Sequence, residues 1–278
     1  MLECVINVSE GRDGAVLDAL RDSCEDALLD QHTDPDHHRS VFTLAGWDVG
    51  EAARALTRCA VAHLDISTHH GVHPRIGVVD VVPFVPLFGA TPADAVAARN
   101  RFASWAAETL KVPCFLYGTE RTLPEVRRDA FTPALAPDVG PRAPHPSAGA
   151  IAVGARPVLV AYNVWLETDD VDVARDVARR IRRPGVVRTL GLRCGDRVQV
   201  SMNLLDWRRF GPADAYDAVA AHTRPAGGEL VGLLPEAALG AVDEARWSQL
   251  DVSPTRTIEA RLKETGLDGG RFGGAVGR

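Results

Sequence analysis

The 278-residue sequence predicts an α+β protein of two topologically similar halves, each a mixed or antiparallel sheet covered by helices. Three observations carry that expectation. In the second half two strand-like segments lie between helices, which suits a sheet with helices on one face. The strand-and-helix order restarts after an irregular stretch at 120–150. The turn after the first strand, VSEGRDG, holds only Gly11 and Gly14, matching neither the dinucleotide fingerprint nor the P-loop, so a doubly wound nucleotide fold is disfavoured.

The chain opens on a short strand, 3–8, broken by Ser9, Glu10 and Gly11, and 13–29 (DGAVLDALRDSCEDALL) then has helical periodicity. SVFTLAG, 40–46, is β-branched and aromatic and reads as a strand. Residues 50–64 place apolar side chains three and four apart, as a helix does. In VVDVVPFVPL, 78–87, the prolines fit an edge strand or a strand end better than a central position. A helix over 94–110 and a strand at PCFLYG, 113–118, follow. Through 120–150 the density of Pro, Gly and Ala argues against regular elements. About 30 residues is long for a passive connection, so an ordered functional excursion is expected there.

The second half reads as a strand at 157–166, a helix at 171–182, a hairpin from 185–193 and 197–206, a helix at 213–223, a strand at 228–235 and a helical 237–243. VINVSEGR and YNVWLETD each put an Asn inside a strand leading to a helix, a weak internal repeat. These features set a boundary near 157, giving an N-terminal subdomain of 1–156 and a C-terminal one of 157–278, ferredoxin-like in character.

Composition narrows the function classes. With 31 basic and 37 acidic residues the formal charge is -6, which disfavours general affinity for nucleic acid or anionic membrane while leaving room for a local basic pocket. The five cysteines are scattered, odd in number and form no CxxC pair, so neither a zinc knuckle nor a redox dithiol is indicated. Reduced thiols, no signal peptide and no apolar run of spanning length predict a soluble, cytoplasmic protein.

The chemistry-bearing residues cluster in two stretches. DISTHHGVHPRIGVVDVVPFVP, 65–86, carries His69, His70 and His73 followed by Pro74 and Arg75; DQHTDPDHHRS, 30–40, carries His32, Asp34, His37, His38 and Arg39. Pro74 makes a helix across His69 and His73 unfavourable, so the pair is not assigned a common helical face. If the strands that follow the two stretches are sheet neighbours, both loops can open at one end and bring the imidazoles together. Three readings stand. A zinc-type site is conceivable from His and carboxylate, but nothing resembles HExxH spacing. Solvated loop histidines pairing with nearby Asp are the plainer reading for each one except His73. A site for a carboxylate-bearing substrate is the third: two guanidiniums can hold the carboxylates and a neutral imidazole can move protons near pH 7. GxSxG is absent and Cys4 lies in a strand without a nearby base, so a covalent Ser or Cys route has little support.

In order along the chain, ECVINVSEGR, LLDQHTDPDHHRSVFTLAG, DISTHHGVHPRIGVVDVVPFVP, FLYG, RTLPEVR, PDVGPRAPHPSAGAIAVGAR, AYNVWL, QVSMNLLD and ELVGLLP resemble the glutamate formiminotransferase family, including the formiminotransferase portion of formiminotransferase-cyclodeaminase. The likeness covers roughly residues 2–240. It implies two subdomains of similar topology with a folate-binding cleft between them, homodimers, and transfer of a formimino group from N-formimino-L-glutamate to tetrahydrofolate as co-substrate. It further implies that His73, which precedes Pro-Arg, is the catalytic histidine, that Arg39 and Arg75 are the corresponding arginines, and that Asn7, Ser9, Glu10 and Gly11 belong to the substrate-binding opening motif. His32, Asp34, His38, His69 and His70 would form a supporting shell, and no metal is expected.

That chemistry needs a folate nitrogen to lose a proton and glutamate's amine to gain one, which one histidine can serve as base and then acid. Arginine can hold carboxylates by paired hydrogen bonds, and Asp34 or Glu10 can face the cationic formimino group. The sequence departs from the family at His70, where Lys is common, at His38, where Asn is common, and at His32, where animal members have Asp. The stretch RRPGVVRTLGLRCG is shorter than its family counterpart, and no part of the sequence matches the cyclodeaminase portion.

Overall fold

The computed structural model describes residues 1–71 and 74–268, which fall into two compact units, Met1–Val158 and Leu159–Arg278. The first unit runs β1 (Leu2–Val8), α1 (Gly14–Asp22), β2 (Leu28–Asp34), β3 (Arg39–Gly46), α2 (Val49–His63), β4 (Val79–Pro86), α3 (Pro92–Trp105), β5 (Cys114–Tyr117), α4 (Leu123–Asp129) and β6 (Ile151–Ala155). Its sheet has the order β2-β3-β1-β4-β6-β5. Pairs are antiparallel among β2, β3, β1 and β4, and parallel from β4 through β6 to β5.

Alternation along β1 sends Cys4, Ile6 and Val8 into the core, where they meet Leu56 and Ala60 of α2 and Phe102 of α3 in one cluster. The buried positions of α2 (Val49, Ala53, Leu56, Thr57 and Ala60) make one helical stripe, so burial of that face holds the helix on the sheet.

The expected long first helix stops at Asp22. The Ser23 hydroxyl donates to the Leu20 carbonyl, a 3-10 turn covers Glu25–Ala27, and Leu28–Asp34 becomes strand β2. Helical periodicity could not anticipate this, because pairing with β3 decides the state of LLDQHTD. Of the edge or strand-end positions expected for the prolines of 78–87, Pro86 does end β4, but Pro83 lies inside it and β4 is internal, between β1 and β6. Its ladder to β1 runs from Leu2↔Pro86 to Cys4↔Phe84 and resumes at Asn7↔Val81, so pairing lapses opposite Pro83, which has no N–H to give.

The 120–150 stretch is ordered. Leu123, Val126, Phe131 and Leu135 pack on Val81, Phe115, Tyr117 and Ala152, with Phe115 and Phe131 edge-on at 5.0 Å. It covers the second sheet face at the β5–β6 end and contains α4.

The second unit has β7 (Val160–Leu166), α5 (Val171–Ile181), β8 (Val187–Cys194), β9 (Arg197–Leu204), α6 (Pro212–Ala220) and β10 (Pro225–Val231), then short helices α7 (Glu236–Leu239), α8 (Trp247–Leu250) and α9 (Ile258–Glu264). Its antiparallel sheet has the order β10-β7-β9-β8. In both units a strand–helix–strand–strand–helix–strand run places its first strand between its third and fourth, the ferredoxin-like arrangement. The Asn echo falls on the first strand of each run, at Asn7 in β1 and Asn163 in β7. Among the described residues no helix is long and apolar enough to cross a membrane.

Candidate active site

Antiparallel pairing puts the C-terminal end of β1 beside the N-terminal ends of β3 and β4. The loop after β1, the turn before β3 and the loop before β4 therefore open at one end of the first unit's sheet. β3 and β4 are not sheet neighbours; each flanks β1, which brings their loops together all the same.

The β1 loop is tied down by its own side chains. Glu10 is buried, and its Oε1 accepts from the backbone N–H groups of Gly11, Arg12 and Asp13 at 2.8, 2.7 and 3.0 Å. Ser9 is buried too; its hydroxyl donates to the Gly77 carbonyl at 2.9 Å and its N–H to the Val78 carbonyl at 2.7 Å, locking the end of β1 to the start of β4. Gly11 sits so close to the turn before β3 that a Cβ there would lie 2.4 Å from the Asp34 carbonyl oxygen. Asn7 is half-buried on the sheet face opposite Cys4 and Ile6, in register with Val41 and Val81.

In the turn, Asp34 Oδ1 accepts from the N–H groups of Asp36 and His37, each at 2.8 Å. His38, at φ 49, accepts the Gly11 N–H on Nδ1 at 3.1 Å and lies against His69 with ring centroids 4.1 Å apart and planes tilted by 36°. Burial lowers the His37 and His38 imidazoles below their ordinary value, against the opposing pull of Asp34 and Glu10 respectively. His69 is pushed down to about 4 by burial and by the Arg75 guanidinium. These three rings are neutral at physiological pH, and the positive charge of the site resides on arginine.

Arg75 bridges the two imidazole-rich stretches, donating to the carbonyls of His37 at 3.0 Å and His38 at 3.3 Å while contacting His69. Gly71 makes room for it: a Cβ there would stand 2.5 Å from Arg75 Nη2. Arg39, half-buried at the start of β3, feels Asp80 and Asp34 as opposite charges and Arg127 and Arg75 as like ones, and burial lowers it to about 10. Among the described residues its guanidinium has no hydrogen-bond partner, so its donors remain available to an anionic ligand.

The structure thus brings together Ser9, Glu10, Gly11, Asp34, His38, Arg39, His69 and Arg75. His32, half-buried on β2, influences the charge of His37, while His70 is exposed. His73, with Val72, lies outside the described residues. Sequence reasoning missed Asp80 and Arg127. Asp80 is 2% exposed on β4 and pairs with Arg127 of α4 at 2.5 Å. The signal was legible: a lone carboxylate inside VVDVVPF must find a partner if that run is buried. Among the described residues no group of three His, Cys, Asp or Glu side chains is placed to hold a metal ion. Burial pushes the Cys24 and Cys114 thiols up to about 12, which leaves them poor nucleophiles.

Neutral imidazoles beside guanidiniums, on a duplicated α+β scaffold, define a class: proteins equipped to hold a carboxylate-bearing molecule and shift protons around it. Comparisons with known proteins then give the family. The family described as formiminotransferase domain, N-terminal subdomain, matches residues 1–156. The chain is 37% identical over 275 residues to a glutamate formimidoyltransferase of Streptococcus pyogenes serotype M1, covering 88% of this chain and 92% of that one. It is 32% identical to the glutamate formimidoyltransferase of Thermoplasma acidophilum, covering 89% and 91%. Against the formimidoyltransferase-cyclodeaminase of Sus scrofa the identity is 34%, over 86% of this chain and 51% of that longer protein. The chain belongs to the glutamate formimidoyltransferase family.

Proposed function

We propose that the protein transfers the formimino group of N-formimino-L-glutamate to tetrahydrofolate, giving 5-formiminotetrahydrofolate and glutamate. The observation that carries this reading is the similarity, over most of both chains, to a relative named for that activity. The site's inventory of neutral imidazoles and an uncommitted Arg39 agrees with it.

In the reaction a folate nitrogen attacks the formimino carbon, forming one C–N bond. The tetrahedral species then breaks the C–N bond to glutamate's amine. His73 takes the proton from the attacking nitrogen and returns it to the leaving amine. Arg39 holds a glutamate carboxylate through paired hydrogen bonds. Arg75 and Glu10 act chiefly by holding the loops in which they lie: Arg75 bonds the His37 and His38 carbonyls and the His69 ring, and Glu10 bonds backbone N–H groups. The subdomains of this transferase are residues 1–156 and 157–278, a division supported by the compact units that part after Val158. The protein works in the cytoplasm as a homodimer.

Glutamate release measured with and without tetrahydrofolate tests the reading. Release that requires the folate, together with spectroscopic appearance of 5-formiminotetrahydrofolate, is expected. Release at the same rate without it would replace transfer by hydrolysis.

A further inference from the structure

We infer that Asp80 is a positioning residue for the loop that carries His73, acting through the Ile76 amide and through Arg127; only its catalytic consequence rests on the transferase reading above. Asp80 is 2% exposed at the start of β4, and each of its carboxylate oxygens has a separate task. Oδ1 accepts the backbone N–H of Ile76 at 2.9 Å. Oδ2 accepts from Arg127 Nη2 at 2.5 Å, and Nη1 of the same guanidinium donates to the carbonyl of Pro74. One carboxylate thus reaches both sides of Arg75, directly at residue 76 and through arginine at residue 74.

The Pro74 carbonyl is the useful place to hold. Proline's ring locks φ, so once that carbonyl is fixed only the ψ torsion of Pro74 separates it softly from the planar peptide joining it to His73. The same clamp sets Arg75, which bonds the carbonyls of His37 and His38. Arg127 arrives from α4, 47 residues beyond Asp80, so the excursion after β5 supplies this part of the site. A carboxamide at position 80 could still accept from Ile76 but would no longer hold Arg127 by charge, which separates the two tasks.

The test compares Asp80→Asn, Arg127→Gln, their combination, Arg127→Lys and a control, Arg128→Gln, whose partner is the adjacent Asp129. Two readouts are taken on folded full-length protein: backbone hydrogen exchange over residues 75–77, and kcat and KM for formiminoglutamate. Exchange over 75–77 is expected to quicken about tenfold or more in both single variants, and kcat to fall roughly 10- to 100-fold with KM within about twofold, the signature of a displaced reacting group. The double variant is expected to be no slower than the slower single one, because both act through one connection. Arg127→Lys recovers part of kcat and the control matches wild type. Unchanged exchange over 75–77, or activity lost only in proportion to unfolded protein, overturns the inference. Should Asp80→Asn fail to fold, Arg127→Gln cuts the same link from its more exposed end. Faster exchange in the variants of a protein that shows no folate-dependent release would uphold the positioning role and sink the transferase reading, so the two fail separately.

Discussion

Nη1 of Arg75 lies 2.7 Å from Nδ1 of His69 and 2.8 Å from its Nε2, and that Nε2 is also 3.1 Å from the His38 carbonyl. A guanidinium has only donors, so beside the ring it opposes a second proton on His69, in keeping with the lowered imidazole. The contact therefore favours the neutral ring, and it ties the loop before β4 to the turn before β3.

Acid should loosen that tie. His69 in the folded protein protonates near pH 4, below its ordinary value of 6.5. Between those values the unfolded chain binds the proton and the folded one does not, so stability is full above about pH 6.5 and declines as pH falls to about 4. His37 and His38, also lowered, push the same way. Because His69 is only partly buried, its share is on the order of 1 kcal/mol after solvent screening. Urea denaturation from pH 7 to pH 4 should show the decline, and His69→Gln should flatten part of it. A variant with an unchanged slope would dissociate His69 from the effect.

The two arginines should respond differently. Arg39 has donors to spare, so Arg39→Gln is expected to raise KM for formiminoglutamate roughly 10- to 100-fold with little change in melting temperature. Arg75 spends its donors on two carbonyls, so Arg75→Gln should lower stability by about 1–3 kcal/mol and lower kcat as well. Steady-state kinetics paired with thermal melts separate these outcomes. Equal KM effects with equal melts would contradict the division of labour.

How far the sequence could reach is visible at particular residues. Short-range patterns located α2, β3, α5 and the β8–β9 hairpin, because their periodicities face one core each. They failed where a partner distant in sequence decides the outcome. LLDQHTD becomes a strand through β3; Pro83 is carried inside the sheet by a lapse in the β1 ladder; Arg127 earns its place only when α4 folds back on β4. At the site, residue types suggested a shared function for Arg39 and Arg75, but hydrogen bonding distinguishes the brace from the uncommitted cation.

Gly11 should tolerate no side chain. A Cβ would meet the Asp34 carbonyl oxygen at 2.4 Å and the Arg39 nitrogen at 2.7 Å, both backbone atoms that cannot swing aside. Gly11→Ala is expected to cost about 1–3 kcal/mol by forcing the β1 loop away from the turn. Gly14→Ala, with nothing within 4 Å of its Cβ, is the matched control and should be near neutral in the same denaturation experiment.

Metal removal should be without effect. The proposed proton transfers use imidazole alone, so exhaustive dialysis against a chelator is expected to leave turnover unchanged, and elemental analysis to find no stoichiometric zinc. Activity lost on chelation and restored by zinc would bring back the metal reading of His32, His37, His69 and His73.

The sharpest expectation concerns His73. The loop that carries it is held on its C-terminal side by the bonds of Arg75 to the His37 carbonyl and of Asp80 to the Ile76 amide and Arg127. His73→Ala should therefore fold normally by circular dichroism. Without its base and acid, turnover should fall about 10²- to 10⁴-fold. His70, exposed on the same loop, supplies the comparison, and His70→Ala should change turnover by less than about tenfold. Added imidazole offers a second readout: partial recovery of the His73→Ala rate, rising with the concentration of neutral imidazole, would identify the missing function as proton transfer rather than binding. A folded His73→Ala protein with near-normal turnover would remove the residue from the mechanism and return the search for the base to His38 and His69, whose neutral rings already stand 4.1 Å apart beside Arg75.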